Sequence, residues 1–207
     1  MIIATWSDKG GVGKSTIATT IAHSLGLHLY DLDPQGDAAR WCGRAGHPFT
    51  LLHEDDYAVV LGEKANSRDV VVVDCPPGHD RRALVGAGLA ALVILPTRSG
   101  DSDLVAMGRS LELLGKLSDK GNPDLLVGVV LNYFRHTARS AATAEALAKN
   151  ALTRGYHYLG ELGHRTAFEE AYADGRSPLA LGGSTAHESR KVVEAVRLIL
   201  KTWKVLK

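Results

Sequence analysis

The chain is 207 residues long, 45% hydrophobic and 23% charged, the composition of a folded globular protein whose length suits one or two domains, one being the better fit. Lys and Arg number 24 and Asp and Glu 23, a net charge of +1, so contact with a polyanion needs a local patch rather than a global field. Two distant cysteines, Cys42 and Cys75, exclude a disulfide framework and an intrachain tetrahedral zinc cluster and fit a reducing cytoplasm. The polar turn after Trp6 and the absence of any apolar run near the roughly 18 residues of a membrane span predict neither a secretory leader nor a transmembrane helix.

Short apolar runs at 2–5, 27–32, 70–73, 91–95 and 125–131 read as strands. They are continuous rather than alternating, the pattern of strands buried on both faces. Helical patterns intervene at 14–24, 37–44, 55–66, 80–88, 102–117, 138–154, 165–174 and 187–203, with Gly182-Gly183-Ser184 as a loop before the last. This alternation predicts an α/β fold: a doubly wound, mainly parallel sheet with helices on both faces, ligands at the carboxyl ends of its strands, and one domain over 1–207.

The first predicted strand runs into Lys9-Gly10-Gly11-Val12-Gly13-Lys14-Ser15-Thr16 and a helix follows at once. Glycines let successive backbone N–H groups turn in around phosphates, Lys14 brings charge to them, Ser15 is a Mg²⁺ ligand, and the helix N-terminus adds its dipole. The usual first glycine of such a loop is replaced by Asp8, and Lys9 is an additional lysine.

The second predicted strand ends in Asp31-Leu32-Asp33-Pro34-Gln35-Gly36-Asp37, and a carboxylate there can orient an attacking water or hold Mg²⁺ through water. Asp33 is the candidate for that work; turn formation by 33–36 and capping by Asp37 are compatible with it. The third strand, Val70 to Val73, ends in Asp74-Cys75-Pro76-Pro77-Gly78, where Asp74 is placed to accept from a Mg²⁺-bound water or from Ser15. Cys75 reads as a small interior residue. No Asn-Lys-x-Asp guanine-reading motif follows a late strand, which favours ATP; Asn132 is an adenine contact or a strand-end cap. Asp103 is a nucleotide or interface candidate, or a cap of its helix.

Taken together, the Lys9–Thr16 loop, the Asp33-Pro34-Gln35-Gly36 string, the Asp74-Cys75-Pro76-Pro77-Gly78 string and the segment from Arg165 to Pro178 resemble the deviant Walker A, or ParA/MinD, family of P-loop ATPases, most closely its short ParA-type partition members. The resemblance implies a homodimer closed around ATP and Mg²⁺. In it Lys9 reaches the partner's phosphates, Lys14 and residues 10–16 hold the chain's own nucleotide, Asp33 serves hydrolysis, and Ser15, Asp33 and Asp74 surround the metal. It also implies slow, adaptor-stimulated hydrolysis by a cytoplasmic, nucleoid-associated protein that binds non-specific DNA and a ParB-type centromere-binding adaptor. No N-terminal helix-turn-helix domain and no membrane partner are expected.

From Ala186 to Lys207 six basic residues face Glu188 and Glu194, a local charge of +4 that leaves −3 on the rest. At about 100° per residue Arg190, Arg197, Lys201 and Lys204 form one stripe, while Val192, Val196, Ile199, Trp203 and Leu206 gather opposite. Such a stripe can neutralise DNA phosphates, lie on an anionic membrane, or simply face solvent; the resemblance favours DNA, with Arg165, and more remotely Arg135 and Arg139, widening the patch. Two alternatives stay open: a MinD-like or organelle-positioning ATPase acting on membrane or protein cargo, and a small-molecule enzyme of the dethiobiotin synthetase type.

Overall fold

The computed structural model describes residues 1–53 and 56–203. In chain order the elements are β1 (Ile2–Thr5), α1 (Lys14–Leu25), β2 (His28–Asp31), α2 (Asp37–Ala45), β3 (Phe49–Leu51), α3 (Tyr57–Ala65), β4 (Val71–Asp74), α4 (Arg81–Gly88), β5 (Leu92–Thr97), α5 (Asp101–Gly121), β6 (Leu126–Phe134), α6 (Ala138–Asn150), β7 (His157–Gly163), α7 (Thr166–Ala173) and α8 (Gly183–Thr202), with a short 3₁₀ turn at Pro178–Ala180 before the last helix. The sheet order is β3-β2-β4-β1-β5-β6-β7, and all six pairings are parallel. The expected doubly wound architecture is therefore the one observed.

The continuous apolar runs have a direct cause. Side chains alternate across a strand, so Ile2 and Ala4 of β1 and Val71 and Val73 of β4 enter one core, and Ile3 and Val72 enter the other. Tyr57, Leu61, Ala83, Met107, Leu114 and Leu147 close the first core from α3, α4, α5 and α6. Ile17, Ile21, Trp41, Val192, Val196 and Leu200 close the second from α1, α2 and α8. Each fully buried aliphatic side chain contributes about 1.5–3 kcal/mol relative to exposure, so both faces must be apolar for the sheet to persist.

Three expectations are corrected. Strands β3 and β7 were absent from the sequence reading: they are the sheet's two edges, partly solvated, and lack a continuous apolar run. The helix expected at 138–154 ends at Asn150. The last helix begins at Gly183 rather than at 187, with Gly182 as its N-cap, so Gly183 and Ser184 belong to its first turn. Asp55, expected to open the third helix, lies outside the described residues, and that helix runs Tyr57–Ala65.

Candidate nucleotide-binding site

β1 delivers the 8–13 loop to the N-terminus of α1 at the carboxyl edge of the sheet, between β4 and β5. The loop is moored from behind: the indole N–H of the buried Trp6 donates to Gly78 O at 2.9 Å, and the amide of Asp8 donates to Ser110 Oγ at 3.2 Å. The Asp8 carboxylate bonds Arg109 on α5 at 3.1 Å and lies 3.1 Å from His79 Nε2. The missing first glycine thus has a structural reason, since Asp8 fastens the loop to α5 and to the β4–α4 connection. Gly11 and Gly13 take φ of 67° and 97°, and a Cβ on Gly13 would lie 2.0 Å from Asn132 Nδ2, so both backbone conformation and space require glycine there. Lys14 is buried at 6% exposure and makes no ion pair among the described residues. A cleft of ≈ 230 Å³ opens over Gly10, Gly11 and Gly13 to Thr16, with Asp33 and Asp37 on its other wall.

Parallel register sets Thr5, Asp74 and Asp31 in one row across β1, β4 and β2. The Thr5 hydroxyl donates to Asp74 Oδ1 at 2.9 Å, while Oδ2 is buried without a hydrogen-bond partner. Burial, and then the neighbouring Asp31 charge, push the Asp74 carboxyl up to about 7, against the pull of Ser15, Thr5 and Lys14. Asp31 is raised to about 6, again mainly by burial, although its carboxylate accepts from the amides of Asp33 at 2.9 Å and Ala39 at 2.8 Å. Asp31 had no role in the sequence reading; here it ties the β2–α2 turn that carries Asp33. Asp33 itself accepts from the Gln35 amide at 2.9 Å, so turn formation and a place on the cleft wall coexist. Asp37 is the first residue of α2, after the Gly36 cap.

Lys9 points away from its own cleft. Its ammonium pairs with Asp103 Oδ1 at 2.7 Å and bonds Ser102 Oγ at 3.0 Å, both in the first turn of α5. Asn132, expected as an adenine contact or a strand-end cap, has both ends of its amide engaged: Nδ2 donates to Val12 O at 2.8 Å and Oδ1 accepts from the Tyr133 amide at 2.9 Å. It also borders an adjoining pocket of ≈ 270 Å³, walled by Tyr133, His164, Phe168, Glu169 and Tyr172, which meets the first cleft at Thr16, Tyr133 and Tyr172. Neither tyrosine belongs to a spacing pattern, and the sequence reading missed both. Cys42 and Cys75 are buried thiols, pushed up to about 12 and well above the usual range respectively by desolvation, and so remain protonated interior residues.

The expected basic patch is only partly assembled. Arg190 and Lys201 are exposed on α8, Arg197 pairs with Glu194 at 3.0 Å, and Lys204 lies outside the described residues. Arg165 is drawn inward: it pairs with Glu188 at 2.5 Å, whose other oxygen accepts from the Gly163 amide at 2.8 Å, so it fastens the end of β7 to α8. Arg135 is exposed, and Arg139 pairs with Asp101. No helix among the described residues is long and apolar enough to cross a membrane.

Comparison with known proteins agrees with this geometry. Residues 3–179 match the CbiA family, described as the CobQ/CobB/MinD/ParA nucleotide-binding domain. Over 114 residues the chain is 35% identical to Maintenance of carboxysome distribution protein A of Gloeobacter kilaueensis, covering 51% of this chain and 53% of that protein. The match therefore spans about half the length of that relative. Among solved structures, apo McdA of Cyanothece aligns with a TM-score of 0.78 at 18% identity, covering 94% of this chain and 98% of the other. MinD with Mg-ADP from Pyrococcus horikoshii gives 0.72 at 19%, covering 94% and 95%. A plasmid partition protein from Borrelia burgdorferi gives 0.69 at 18%, covering 97% and 98%. At such identities these structures share the fold with this chain.

Proposed function

Since this chain belongs to the CobQ/CobB/MinD/ParA nucleotide-binding domain family, we propose that it is an ATPase that positions a protein-built cargo body and works as an ATP-dependent homodimer. The observation that carries this reading is the 35% identity over 114 residues to Maintenance of carboxysome distribution protein A.

The site fits ATP and Mg²⁺ on its own chemistry. A buried lysine without an ion pair, a glycine-rich loop at a helix N-terminus and an orphaned Asp74 oxygen are groups that a metal-bound polyphosphate satisfies together. The N–H groups from Gly10 to Thr16 and the Lys14 ammonium hold the phosphates. Ser15, whose hydroxyl follows Lys14 at the start of α1, and the carboxylates of Asp74 and Asp33 are the residues that would hold Mg²⁺, the carboxylates through water. When bound, Mg²⁺ neutralises charge on the phosphates. Asp33 orients the attacking water and takes up its proton. Lys9 leaves Asp103 for the partner's phosphates once two chains face each other.

A second reading, DNA partition with a ParB-type adaptor, draws support from the exposed cations Arg190, Lys191 and Lys201 of α8. Replacing the chain by its Lys14→Ala variant in the host separates the two. Clumped protein bodies with faithful plasmid and chromosome inheritance support cargo positioning. Segregation defects with normally spaced bodies, together with ATP-dependent, salt-sensitive co-sedimentation of the wild type with DNA, would move the protein to partition. ATP-dependent retention on anionic vesicles would point to a membrane-acting positioning ATPase, and metabolite-dependent turnover with neither phenotype to a small-molecule enzyme.

A further inference from the structure

Resting on the nucleotide-binding reading, we infer that Arg98 and Tyr133 are positioning residues: an outer brace that fixes the direction of the phosphate loop's peptide groups. Arg98 follows the last residue of β5, and its guanidinium crosses to the loop, where Nη2 donates to the Gly11 carbonyl. Its central carbon lies 4.0 Å from the centre of the Tyr133 ring, a cation–π contact. The guanidinium has no acidic partner among the described residues and its Nε is buried without a hydrogen bond, so these two contacts set its position.

Tyr133 is unusual in its own right. With φ of 55° it is the one non-glycine among the described residues in the left-handed region, a costly conformation for a bulky side chain. That backbone brings three things together. The ring lies under Arg98, the amide bonds Asn132 Oδ1 at 2.9 Å, and Asn132 Nδ2 reaches Val12 O at 2.8 Å. Two consecutive loop carbonyls, Gly11 and Val12, are thus each held from outside the loop.

The consequence follows from peptide geometry. In a trans peptide the carbonyl of one residue and the N–H of the next point in opposite directions. With Gly11 O held by Arg98 and Val12 O held by Asn132, the N–H groups of Val12 and Gly13 point away from those partners before any ligand arrives, and on this inference that is the direction from which the phosphates approach. Donors oriented in advance spare the ligand the cost of ordering them.

The brace acts on the loop and not on the terminal phosphate, so ADP and ATP should weaken alike. The test is titration of the whole chain with fluorescent ADP and a non-hydrolysable ATP analogue, at concentrations where it is monomeric, with melting of the nucleotide-free protein as the check on folding. Arg98→Ala should weaken both nucleotides by about tenfold, because the ligand must then order the loop itself, and should lower the nucleotide-free melting temperature only by the modest amount that one exposed hydrogen bond supplies. Arg98→Lys should recover only part of this, because an ammonium lacks the planar stacking surface. Tyr133→Ala, which removes the ring beneath the guanidinium, should follow Arg98→Ala. Unchanged ADP affinity in Arg98→Ala would overturn the brace, as would a loss confined to the ATP analogue, which would mean direct contact with the terminal phosphate or the partner. Lys14→Ala is the control: if it binds both nucleotides like wild type, the nucleotide reading itself falls, whereas its failure to bind beside a normal Arg98→Ala removes the brace alone.

Discussion

On the proposed dimer mechanism Lys9 has two destinations. In the single chain its ammonium is held by Asp103 and Ser102, so reaching a partner's phosphates means giving up a half-exposed ion pair. Such a pair is worth about 1 kcal/mol or less. Each chain of the dimer gives up one such pair, so Asp103→Asn should lower the apparent dissociation constant of the ATP-dependent dimer by up to roughly thirtyfold, read by analytical ultracentrifugation; a weaker dimer would mean that Asp103 serves the interface directly. His47 carries a second residue-scale prediction. It is buried, its Nε2 lies 2.8 Å from Leu27 O, and burial lowers its pKa below 6.5. The unfolded chain then takes up a proton as pH falls through 6.5 while the folded chain does not, so stability is lost between 6.5 and the lowered value and is unaffected above. His47→Gln should flatten that part of the stability–pH curve. Comparing variant with wild type cancels the opposite trend of Asp31 and Asp74, whose raised values favour the folded state as pH falls.

At the scale of elements, α8 is best understood by its two faces. Val192, Val193, Val196, Ile199 and Leu200 enter the core with Ile17 and Ile21 of α1, while Arg190, Lys191, Leu198 and Lys201 remain exposed. Leu200→Ala should cost about 2–5 kcal/mol in urea unfolding, whereas Leu198→Ala at 65% exposure should stay within about 0.5 kcal/mol. The charged stripe is thus the outer face of a packed helix. Arg165 is excluded from it by Glu188, a pairing between residues 23 apart in sequence that no helical periodicity foretells. The edge strands β3 and β7 escaped notice for a related reason. With one edge lacking a sheet neighbour they need no continuous apolar run, so the pattern that revealed β1, β4 and β5 is missing from them.

For the whole molecule, the loop and Asp33 line the open cleft, Asp74 is buried at the end of β4 on the same rim of the sheet, and Lys9 is turned toward α5. On the proposed dimer mechanism, Asp33→Ala should bind ATP, form the dimer and keep it, because closure needs nucleotide and dissociation needs hydrolysis. Light scattering over time after adding ATP measures this; a variant that returns to monomer at the wild-type rate would remove Asp33 from the mechanism.

The sequence by itself determined the α/β architecture, the phosphate loop and the two acidic strand ends, because these depend on local spacing: glycines where the backbone must turn, apolar runs where both faces are buried, a carboxylate where a strand stops. Tertiary structure alone decided what those residues meet. It joined Lys9 to Asp103, engaged both ends of Asn132, set Asp31 beside Asp74, turned Arg165 inward, and laid Arg98 across the loop on Tyr133. These contacts join residues from separate elements, and only the winding of the chain across the sheet brings them within reach.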